Sequence, residues 1–107
     1  DKYEQYNDAT SALADGRGDA WVTDNTEALA WALASNGFTA GITNLGDPDS
    51  IAGAVTKGNE TLLAWLNEQL ITLGKEQFFH TDFEQTLRPV YGDSASVDEL
   101  VVEGGQL

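Results

Sequence analysis

Apolar positions recur at helical spacing most clearly between residues 60 and 73. Leu62, Leu63, Leu66, Leu70 and Leu73 fall at steps of three and four, while Glu60, Asn67 and Glu68 lie away from them. A stripe of that width predicts an amphipathic helix, opened by Lys57-Gly58-Asn59 with Asn59 as its cap and ended at Gly74. A second helix is expected over 76–87, where Phe79, Phe83 and Leu87 stand at four-residue steps and Pro89 closes the element. Upstream, residues 26–35 carry Ala28, Leu29, Trp31, Ala32 and Leu33, apolar almost all round. Such a helix wants cover on more than one side, and Asn36-Gly37 stops it. A short helix over 9–15, with Ala9, Ala12 and Leu13 on its apolar face, takes Asn7 or Asp8 as cap and ends at Gly16.

Between these helices lie runs of strand length. Ala20-Trp21-Val22 predicts a buried strand over residues 19–23. Residues 38–45 alternate weakly, with Phe38, Ala40 and Ile42 on one face, and 51–56 reads as a third short strand. Residues 2–6 fit either the tail of a strand or an entry loop. Gly46-Asp47-Pro48-Asp49-Ser50 is a turn cluster and the best internal boundary. The order helix, strand, helix, strand argues for an α/β unit. After Gly92 the chain is acidic and small apart from Leu100-Val101-Val102, and an extended tail is expected there. No internal repeat is present.

Charge narrows the function. The 107 residues include 18 acidic and 5 basic side chains, a formal charge of −13. That balance repels phosphate backbones and anionic membranes and argues against nucleic acid as a partner. The length suits one small domain. There is no cysteine, so no disulfide, thiolate nucleophile or cysteine metal site. No apolar run approaches the roughly 20 residues of a spanning helix. The sequence has no initiating Met and no signal-like start, so a processed or excerpted chain is expected.

The stretch Gly16-Arg17-Gly18-Asp19-Ala20-Trp21-Val22-Thr23-Asp24-Asn25-Thr26-Glu27 organises the rest. It reads as helix stop, turn, strand and helix start, with Asp24 at the strand's exit. In open α/β sheets ligands bind in the crevice beyond the carboxyl ends of the strands, which makes Asp24 the first candidate site residue. Asp24 is equally a good N-cap, with Glu27 at capping-box spacing. The roles can be shared if Asn25 or Thr26 caps instead.

These residues resemble the second lobe of extracytoplasmic solute-binding proteins of polar amino-acid ABC transporters, bacterial family 3 type. The likeness continues through Leu45-Gly46-Asp47-Pro48-Asp49-Ser50-Ile51-Ala52, Val55-Thr56-Lys57-Gly58-Asn59, Leu62-Leu63-Ala64-Trp65-Leu66-Asn67, and Phe78-Phe79-His80-Thr81-Asp82-Phe83 to Pro89-Val90-Tyr91-Gly92. It covers about residues 5–92. The resemblance implies a periplasmic-binding-protein-like (type II) α/β fold, represented by its C-terminal portion. Residues 1–46 would be the later half of the ligand-binding second lobe, 47–58 an inter-lobe crossing, 59–92 the C-terminal helices of the first lobe, and 93–107 a tail. It implies binding of a free glutamate, aspartate or glutamine-class amino acid and delivery to an ABC importer permease, outside the cytoplasm, periplasmic or as a lipid-anchored lipoprotein. Asp24 would accept the ligand's α-ammonium, flanked by Thr23 and Asn25. No cofactor or metal is implied. The groups for the ligand carboxylate would lie in segments absent here, and neither Arg17 nor Arg88 matches them. Helix faces of 59–92 would then need the missing N-terminal portion or self-association for cover.

Other features carry bland readings. Arg17-Gly18-Asp19 spells an adhesion tripeptide but reads as a structural turn. His80, the only histidine, lacks a second nitrogen ligand and reads as a packing or surface residue. Trp21, Trp31 and Trp65 lie in or beside apolar runs and read as core. Asn59-Glu60-Thr61 matches a glycosylation sequon, and the helix start explains it. No Gly-x-Ser-x-Gly elbow, phosphate loop or paired-histidine helix is present, so an enzyme is not expected. The alternatives are a fragment with a structural or assembly role and, behind it, a lyase-like enzyme on the same fold.

Overall fold

The longest apolar stripe forms the longest helix. In the computed structural model, which describes residues 2–106, the elements are α1 (Tyr6–Ala14), α2 (Asn25–Ala34), α3 (Glu60–Lys75), α4 (Phe78–Asp82), a π-helical turn (Phe83–Leu87), α5 (Arg88–Tyr91) and α6 (Val97–Leu100). Asn59 caps α3, its Oδ1 accepting from the Leu62 N–H at 3.3 Å. Glu60 in the first turn and Lys75 in the last complement the helix dipole.

Gly74 does not end α3 as expected. It lies buried in the last turn, where an added Cβ would stand 2.1 Å from the Gly104 carbonyl oxygen. It is there to let the returning tail touch the helix. The chain turns instead at Gln77, in the left-handed region at φ 54°, and Gln77 Nε2 donates to the Gly74 carbonyl at 3.2 Å.

Pro89 does not close the second helix either. Its missing N–H and its ring disturb an α-helical ladder, and the chain answers by widening one turn to π geometry, with the Arg88 N–H reaching back to the Phe83 carbonyl. The helix continues through Pro89 and stops at Gly92, φ 89°, whose N–H bonds to the Arg88 carbonyl at 2.8 Å. The π turn rotates Phe83 into the interior, where it is 1% exposed. Its ring stacks on Tyr91 at 5.9 Å, and the Arg88 guanidinium lies 5.1 Å from its centroid.

Helix α1 begins earlier than expected, after Gln5 rather than at an Asn7 or Asp8 cap. It stops at Gly16, φ 72°, with the Arg17 N–H returning to the Ala12 carbonyl at 2.8 Å. A line of rings joins this half: Tyr6 to Trp21 at 5.3 Å, Trp21 to Trp31 at 5.8 Å, and Trp31 to Phe38 at 4.8 Å. Trp65, by contrast, is 55% exposed and is not core. The stripe around it is only partly covered: Leu62, Leu63 and Leu70 are also exposed, while Leu66 and Leu73 are half-buried.

The expected strands at 19–23, 38–45 and 51–56 are not strands among the described residues. No backbone hydrogen bonds link them, and a strand exists only through a neighbour's N–H and C=O groups. The tail is not extended: it forms α6 and carries Glu103 into the interior at 1% exposure. The radius of gyration is 17.0 Å, against roughly 13 Å for a compact domain of this length.

Candidate functional site

Asp24 stands at the N-cap of α2 with extended backbone, φ −60° and ψ 142°. Its carbonyl accepts the Ala28 N–H at 3.0 Å, while its side chain makes no cap hydrogen bond and is exposed. The capping box does not form. The Thr23 hydroxyl donates to the Glu27 carboxylate instead, which takes Glu27 away from the helix start. Asn25 Nδ2 donates to the Glu99 carbonyl at 3.4 Å. Thr23 and Asn25 are thus engaged within the chain, and the Asp24 carboxylate is left facing outward. Such a carboxylate accepts hydrogen bonds only, and suits a cationic donor.

Beside it lies an open cleft of about 340 Å³ lined by Tyr3, Tyr6, Ala9, Trp21, Thr23 and Glu27, among others. Thr23 and Glu27 belong to its lining, and Asp24 does not. The edge-to-face Tyr6–Trp21 pair borders the cleft.

A second cluster was not visible in the sequence. His80 Nδ1 lies 2.8 Å from Glu103 Oε1, and its Nε2 lies 3.2 Å from Asp98 Oδ1. Glu103 also accepts the His80 N–H at 2.8 Å and the Phe79 N–H at 3.4 Å. The hydrogen bond to Glu103 holds the His80 imidazole above its ordinary range against partial burial, with Asp98 adding to it. Burial pushes the Glu103 carboxyl up, but the His80 and Phe79 N–H groups and the imidazole outweigh it and hold it below the ordinary range. His80 was expected to pack or face solvent. Its partners come from the tail, and the one signal for them was Leu100-Val101-Val102 in otherwise acidic sequence. No group of three His, Cys, Asp or Glu side chains among the described residues is arranged to hold a metal.

Arg88 is committed to Glu84 and to the Gly92 and Ala95 carbonyls. Arg17 pairs with Asp15 at 3.4 Å on the surface, and Arg17-Gly18-Asp19 forms the exposed link after α1.

The chain is similar to a solved cysteine-binding protein from Campylobacter jejuni. The identity is 43% over 96% of this chain, with a TM-score of 0.77. This chain spans 42% of that protein's length. No family model matches the chain, and no curated protein matches it. No helix of the described residues is long and apolar enough to cross a membrane.

Proposed function

We propose that this chain forms part of a solute-binding protein that takes up a free amino acid outside the cytoplasm and passes it to an ABC importer. The reading rests on the similarity to a cysteine-binding protein at 43% identity over nearly the whole chain. The lobe assignment belongs to the same proposal: 1–46 in the ligand-binding lobe, 47–58 crossing, 59–92 returning to the other lobe, and 93–107 as a tail. So do the permease partner and a periplasmic or lipid-anchored location.

Asp24 is the proposed acceptor for the α-ammonium. Its side chain makes no cap hydrogen bond and has no hydrogen-bond partner among the described residues, and a charge-assisted bond of this kind contributes roughly 1.5 to 3 kcal/mol. An ammonium contact serves any free amino acid and leaves the side chain of the ligand to other groups. The neighbour's ligand makes cysteine the first candidate, and the glutamate, aspartate and glutamine class follows. A thermal-shift screen of the full-length protein against the twenty amino acids tests this reading. A ligand at a hundred times its Kd stabilises the folded form by about 2.7 kcal/mol, so cysteine or a small polar amino acid is expected to raise the melting temperature by several degrees. No shift with any of the twenty would leave the structural or assembly role.

A further inference from the structure

The tail beyond Gly92 is fastened to the C-terminal helices at three places. Arg88 Nη1 donates to the Gly92 and Ala95 carbonyls. Buried Glu103 takes the N–H groups of Phe79 and His80 together with the His80 ring, and Asp98 meets the ring's other nitrogen. Gly104 lies against Leu70 and Gly74 so closely that a Cβ on it would stand 2.0 Å from the Leu70 carbonyl oxygen. Between these anchors the single turn of α6 points Glu99 the other way. Its carbonyl accepts from Asn25 Nδ2 at 3.4 Å, and its Oε2 accepts from Thr43 Oγ1 at 3.1 Å. These bonds cross 74 and 56 positions of sequence. They end on the residue after Asp24 and on the 38–45 segment.

We infer that the tail is a strap that ties the Asp24–Asn25 corner to the C-terminal helices, and that Glu99 is a positioning residue for the ligand site; the binding half of this inference rests on the function proposed above. Asn25 and Thr43 belong to different segments, and Glu99 bonds both. It therefore sets the start of α2 relative to the loop beside it. Removing its carboxylate frees Thr43 and leaves the corner joined to the tail by the 3.4 Å bond from Asn25 to the Glu99 backbone carbonyl alone.

The test uses the full-length protein with Glu99→Ala and Glu99→Gln. Glutamine keeps an oxygen that can accept from Thr43. Two readouts are taken: affinity for L-cysteine by calorimetry, and amide exchange at Ala28, whose N–H closes the first turn of α2 onto Asp24. Glu99→Ala is expected to weaken affinity three- to tenfold and to speed Ala28 exchange at least threefold, with α3 amides unchanged. Glu99→Gln is expected to stay within twofold of wild type in both. Gly104→Ala, which lifts the far end of the strap, is expected to speed Ala28 exchange as well. Wild-type Ala28 exchange in Glu99→Ala, or equal affinity losses in the Ala and Gln variants, would overturn the inference. If the wild-type protein binds no amino acid, the proposed function fails on its own and Ala28 exchange alone decides the strap.

Discussion

Asp24 and Glu103 are carboxylates in opposite surroundings. Asp24 is exposed and its side chain is unbonded among the described residues, while Glu103 is buried and bonded by two backbone N–H groups and an imidazole. The place of the first at a helix start was legible in the sequence, because Asp-Asn-Thr-Glu marks such a start whatever the fold; its free carboxylate was not, since a cap with Glu27 was expected there and Thr23 takes Glu27 instead. The second was not, since its partners lie 23 and 24 residues away and nothing local distinguishes it from other tail acids. The His80–Glu103 pair has a definite pH signature. His80 is raised in the folded state, so its contribution is complete below 6.5 and is lost as pH rises through a higher folded value. Glu103 is lowered, so its contribution is complete above 4.5 and is lost as pH falls through a lower folded value. Docking of the tail is therefore strongest between 4.5 and 6.5. Protection of the Phe79 and His80 amides, corrected for intrinsic exchange, is expected to fall on both sides of that window, and His80→Gln to remove the alkaline fall. Flat protection across the range would contradict the assignment.

At the scale of elements, the stripe of α3 predicted its helix almost to the residue, and the cap at Asn59 followed from the same pattern. Two punctuation residues were misleading for a shared reason. Glycine and proline mark ends only when the local ladder decides, and here tertiary demands decided. Gly74 serves close contact with Gly104, and Pro89 is absorbed by a π turn. The strands were illegible in another sense, since apolar runs show that a segment wants partners but not where the partners are. Gly74→Ala separates the two views of that glycine. As a simple helix residue, alanine would stabilise α3 by about 1 kcal/mol. As the seat of the tail, it cannot fit without displacing the Gly104 backbone, whose oxygen would stand 2.1 Å from the new Cβ. The expected outcome is a lowered melting temperature together with lost protection at Phe79 and His80. A raised melting temperature would show that the contact matters little.

The whole molecule exposes 8413 Å², where a compact chain of this mass exposes roughly 5,800 Å². The difference is larger than the roughly 1,200 to 2,000 Å² of a typical stable protein interface. It includes Leu62, Leu63, Trp65 and Leu70 on α3, and Val22, Ile42, Leu45 and Ile51 in the unpaired segments. Phe83 does not belong to this surface, because the chain buries it on its own. These side chains call for a covering surface. Light scattering on the isolated 107 residues is expected to show self-association rather than a monodisperse compact monomer, and the monomer would mean that the helices find their cover within the chain. The proposed role of Asp24 as acceptor for the ammonium of a free amino acid is tested by calorimetric titration of L-cysteine into the full-length protein and its Asp24→Asn variant. The amide keeps the shape at a position where no side-chain cap bond exists to lose. A ten- to hundredfold loss of affinity is expected, of the order given by a charge-assisted bond, with the melting temperature of the unliganded protein nearly unchanged. Equal affinity in the two proteins would contradict it.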